Sequence, residues 1–86
     1  MHIEVTEVVP GEVDVALQDG RRCRVLIPAG VGIPGADDTD LAGALLRVLL
    51  DRGEPLPDVI DASRRFASDP HLLAAVDEVI ERESGG

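Results

Sequence analysis

Val13, Val15 and Leu17 alternate with Glu12, Asp14, Ala16 and Gln18, and the alternation stops at Asp19-Gly20. Period two is the spacing of a strand with one buried face, and the glycine turn sends the chain back as a hairpin. Register then constrains the turn. A two-residue loop would set Leu17 opposite Arg22 and Val15 opposite Arg24, mixing apolar and charged groups on one face. A three-residue loop, Gln18-Asp19-Gly20 with Gly20 in a left-handed bulge, instead pairs Val15 with Cys23 and Val13 with Val25. It also sets Asp14 across from Arg24 on the wet face, a favourable cross-strand pair. The bulged hairpin is the expectation.

Pro10-Gly11 marks an earlier turn, which adds a strand over residues 2–9 and completes a three-stranded antiparallel meander. Ile3, Val5 and Val9 share one face of that strand, but so does Glu7. An edge position or a bulge at Glu7 accounts for it better than a buried catalytic carboxylate.

The period changes to 3.6 after a Gly/Pro-rich stretch, residues 29–36. Asp38 or its neighbour caps a helix running to about Arg52, where Gly53 and Pro55 stop it. Leu41, Leu45, Val48 and Leu49 form its apolar stripe, widened by Ala42, Leu46 and Leu50. So wide a face needs cover on two sides, one from the sheet and one from other helices or a second subunit. A short helix is expected from Pro57 or Asp58 to Ala67, with Val59, Ile60 and Phe66 inward. Asp69-Pro70, a cap followed by proline at the first helical position, restarts a last helix to about Glu83. Leu72, Leu73, Val76, Val79 and Ile80 carry its periodicity. The fold class expected is α+β: the N-terminal meander over residues 1–28, then two to three C-terminal helices over 37–83, then a flexible tail over 84–86. Eighty-six residues make one small domain, burying about 60–65% of the unfolded surface.

Charge and composition exclude several classes of function. The net charge is −9, of which residues 37–83 carry −7. Such a balance repels nucleic acid and anionic membranes and favours basic partners or plain solubility. All eight basic residues are arginines, which removes Schiff-base lysines and a P-loop lysine. Phe66 is the only aromatic residue, so base stacking has little to work with. Cys23 is the only cysteine, which leaves no internal disulfide and no cysteine metal site. The start Met1-His2-Ile3-Glu4 lacks the basic and apolar regions of a signal peptide, and a cytoplasmic location is the expectation.

Gly30-Val31-Gly32-Ile33-Pro34-Gly35 is a literal G-x-G-x-x-G. Pyrophosphate would rest on the helix N-terminus that follows, yet Pro34 removes one N–H donor and Asp37, Asp38 and Asp40 crowd that end. No strand is expected after the helix to complete a βαβ unit, so the motif reads as a connecting loop. Asp38 to Gly43 begins like a calcium loop, but Ala42 and Leu49 stand where ligands are needed. Those aspartates read as helix caps. Cys23, though flanked by Arg22 and Arg24, turns its side chain to the opposite face and reads as a buried structural residue. His2 and His71 lack partners. Ser84-Gly85-Gly86 ends in a free diglycine, but here it leaves a helix rather than the final strand that a ubiquitin-like carrier needs.

No catalytic, cofactor-binding or metal-binding residues are assigned. The expected function is that of a small acidic non-enzymatic protein-interaction module, a regulator, adaptor or accessory subunit. It would dock a protein partner or a second copy of itself, neither nucleic acid nor membrane, through an exposed sheet edge or the surplus apolar face of helix 39–52. The candidate contacts are Leu46 and Leu50, with the basic cluster Arg21, Arg22 and Arg24. An antitoxin-like or nucleic-acid-mimicking inhibitor of a basic partner is the alternative. A nucleotide-binding domain and a diglycine carrier rank lower.

Overall fold

The alternating segments form β1 (Ile3–Val9), β2 (Glu12–Leu17) and β3 (Arg22–Leu26) in a computed structural model. It describes residues 3–17, 19–28, 30–31 and 36–84. β1 and β2 pair antiparallel, as do β2 and β3, and the second register sets Val13 opposite Val25, Asp14 opposite Arg24 and Val15 opposite Cys23. The Leu17 N–H donates to the Arg21 carbonyl at 2.8 Å, and Gly20 takes a φ of +91°. The bulged hairpin register is therefore the one the charge and apolar pattern demanded. Gln18, within that turn, lies outside the described residues.

β1 is an edge strand, and its register shifts between Val5 and Glu7. Val5 still faces Val15, but beyond the shift Val8 stands opposite Val13 and Val9 opposite Glu12. A bulge of one extra residue exchanges the two faces of a strand, so Val5 and Val9 do not share a face as expected. Edge position and bulge both hold.

Asp37 caps α1 (Asp38–Asp51), its Oδ1 accepting from the Asp40 N–H at 2.8 Å. The helix ends at Arg52, and Gly53 follows with a φ of +73°, where any side chain would be strained. Replacing Asp37 by Ala is expected to cost about 1 kcal/mol in urea unfolding, the usual worth of an N-cap side chain. Asp38→Ala, which removes no capping bond, should cost less.

One expectation needs correction. Val59, Ile60 and Asp61 do not begin a helix; they form a short strand, β4 (Val59–Asp61), parallel to β3. The sheet is thus four-stranded and mixed, in the order β1-β2-β3-β4. Pro55 and Pro57 bias the residues before them toward extended backbone, and the β-branched pair Val59-Ile60 suits a strand. The cap is Asp61 rather than Pro57 or Asp58: its Oδ1 accepts from the Arg64 N–H at 3.3 Å, and α2 (Ala62–Ser68) starts behind it. Ile60 is buried and Phe66 packs on the core, but Val59 is 50% exposed rather than inward.

β4 also completes a β3–α1–β4 parallel crossover, contrary to the expectation that no strand follows α1. Gly32 to Gly35 of the glycine motif lie outside the described residues, as do His2, Gly85 and Gly86. The caps at α1 stand against an anion there regardless, because Asp37 already occupies the Asp40 N–H.

Asp69 restarts the chain as α3 (Pro70–Ser84), accepting from the Leu72 N–H at 3.2 Å. Leu72, Val76 and Ile80 are buried, whereas Leu73 is partly exposed. The core lies between one face of the sheet and α1 with α3. Val13, Val15, Cys23, Val25 and Ile60 meet Leu41, Leu45, Leu46 and Leu49 there. No helix among the described residues is long and apolar enough to cross a membrane.

Candidate interaction site

Alternation places Asp14, Arg22 and Arg24 on the sheet face opposite Val13, Val15, Cys23 and Val25, away from the helices. Arg24 Nε contacts Asp14 Oδ1 at 3.0 Å. Arg21 Nε contacts Asp19 Oδ2 at 2.6 Å. The backbone N–H of Arg21 lowers the Asp19 carboxyl from its ordinary range, helped by the Arg21 side chain. Two of the three clustered arginines are therefore answered by acids of the same hairpin. Arg22 is exposed and has no acidic partner among the described residues.

Leu46 is wholly buried within the chain, and Leu50 is partly buried. α1 packs on β1 and β2 on one side and on α3 on the other. The second cover that its wide apolar face requires thus comes from the same chain. Leu46 has no surface to offer a partner, which corrects its place among the contact candidates.

A different site lies at the open edge of β4. Buried Leu49 and Ile60 form the floor of a groove of about 240 Å³, and the exposed Pro55, Pro57 and Val59 form its rim. Asp61, Arg64 and Arg65 make its polar wall. The Arg24 N–H donates to the Asp58 carbonyl at 2.8 Å, so Asp58 turns its carbonyl toward β3. Alternation along the strand then turns the N–H and C=O of Val59, and the N–H of Asp61, toward the unpaired edge. An apolar groove and outward main-chain groups stand side by side.

The polar wall is held in place from behind. Arg65 Nη2 contacts Glu54 Oε1 at 2.9 Å, Arg52 lies 3.8 Å from Glu54, and Arg52 Nη1 contacts Asp69 Oδ2 at 3.0 Å. The hydrogen bond from Arg52 is the main reason the Asp69 carboxyl sits below its ordinary range. These pairs are only partly buried, so they orient side chains more than they stabilise the fold. Arg65 Nε is buried with no hydrogen-bond partner among the described residues. The guanidinium of the exposed Arg64 meets no acidic side chain among them.

Reading residues 57–67 as one helix hides this site, since a helix has no edge. Pro55-x-Pro57 followed by Val59-Ile60 leans toward extended backbone, but only pairing with β3 makes it a strand. A shallower basin of about 360 Å³ on the outer sheet face, lined by Thr6, Asp14, Arg24 and Asp58, also reaches Val59. Asp14 and Arg24 pair within it, whereas Arg22, also in its lining, has no acidic partner among the described residues. No family model, curated protein or solved structure matches this chain.

Proposed function

We propose that this chain is a non-enzymatic protein-interaction module that captures an extended segment of a partner along the free edge of β4. The observation that carries the reading is the groove floored by Leu49 and Ile60 directly beside the outward main-chain groups of Val59 and Asp61. Main-chain hydrogen bonds to an edge supply affinity, and a neighbouring pocket for alternate side chains supplies selectivity. The groove volume, about 240 Å³, falls below the roughly 300–1,000 Å³ of small-molecule sites. It suits one side chain of a polypeptide better than a nucleotide.

Val59→Pro tests the reading. Proline is tolerated at the first residue of an edge strand when its N–H faces outward, so the β3–β4 ladder should survive. The variant is expected to keep the wild-type melting temperature within a few degrees and to bind its partner about tenfold more weakly, the scale of one lost hydrogen bond. Val59→Thr, which keeps the N–H, should bind as the wild type does. Capture of a stoichiometric partner from the source lysate, equal for wild type and Val59→Pro, would refute edge docking. A second reading, mimicry of nucleic acid by the acidic helical half, rests on the charge of −7 over residues 37–83. It predicts a complex that dissociates as salt rises, whereas docking on Leu49 and Ile60 tolerates salt.

A further inference from the structure

No further inference is drawn: the strongest candidate, the groove beside the free edge of β4, belongs to the site already described, and with Arg65 paired to Glu54 and Asp61 beside Arg64 its wall is charge-balanced, so nothing in the structure shows what covers it.

Discussion

Leu46→Ala is expected to destabilise the fold by about 3 kcal/mol, within the usual range for truncating a fully buried leucine. In a domain of this size that lowers the melting temperature by roughly 12–24 °C. Leu46 is 0% exposed, and the cluster around it includes Leu45, Leu49, Leu72 and Val76. Its truncation removes transfer free energy and leaves a cavity that its neighbours on α1 and α3 close only in part. A total stability of about 4–13 kcal/mol is ordinary for such a length, so this one change removes a large share of it. Leu50→Ala should cost less than half as much, because Leu50 is only partly buried. The urea slope should stay at its wild-type value in both variants, since the native surface hardly changes. A docking leucine would behave in the opposite way, with an unchanged melt and a weakened complex. A fall below 3 °C for Leu46→Ala would return Leu46 to the surface.

The same residue shows how far local pattern reaches. The apolar positions of α1 report how much of its circumference must be covered, and that requirement was legible. Which body covers it was not. The answer lies in how α3 returns against α1, a contact between segments about twenty or more residues apart in sequence. The hairpin was legible in full because register couples two neighbouring segments through a turn. Only one loop length satisfies Val13, Val15, Cys23 and Val25 together with Asp14 and Arg24. The Asp69 restart was equally plain, since a cap followed by proline is a local device.

β4 marks where local reasoning stops. Three residues carry too little pattern to separate strand from helix, and two aspartates, Asp58 and Asp61, each offer a helix cap. What decides between them is the pairing of Val59, Ile60 and Asp61 with Arg24, Val25 and Leu26, a non-local contact that stabilises the strand from outside. The groove could not be read from the sequence for the same reason. It exists only because β4 is an edge, and its floor joins Leu49 from one element to Ile60 from another. The bulge in β1 is an intermediate case. Glu7 signalled an interruption of the alternation, but the displaced register of Val8 and Val9 became visible only with the partner strand.

Cys23 should be nearly inert in the folded protein. Its thiol is pushed up to about 11 from the ordinary 9.0, first by burial and then by the negative charge of Asp58. Arg22 and Arg24 flank it in sequence but stand on the opposite face of β3, so they do not supply the stabilisation that would activate it. The thiolate is the reacting species, and a rise of this size lowers its population about 100-fold near pH 8. An aromatic disulfide reagent should therefore label the native chain at least ~100-fold more slowly than the urea-unfolded chain, with burial slowing it further. The pH dependence of the rate gives the sharper test. Its midpoint should lie near 11 in the folded protein, and Asp58→Asn should bring it down without restoring the ordinary value. A folded-state midpoint at or below 9 would show that the thiol is not buried as described. The linkage to stability has a definite sign. The unfolded thiol ionises from about pH 9, whereas the folded one stays neutral until about 11. The contribution of Cys23 is thus constant below pH 9 and is lost between 9 and 11, because there the unfolded state binds fewer protons than the native one. Cys23→Ala should abolish that decline while leaving the acid limb of the stability curve in place.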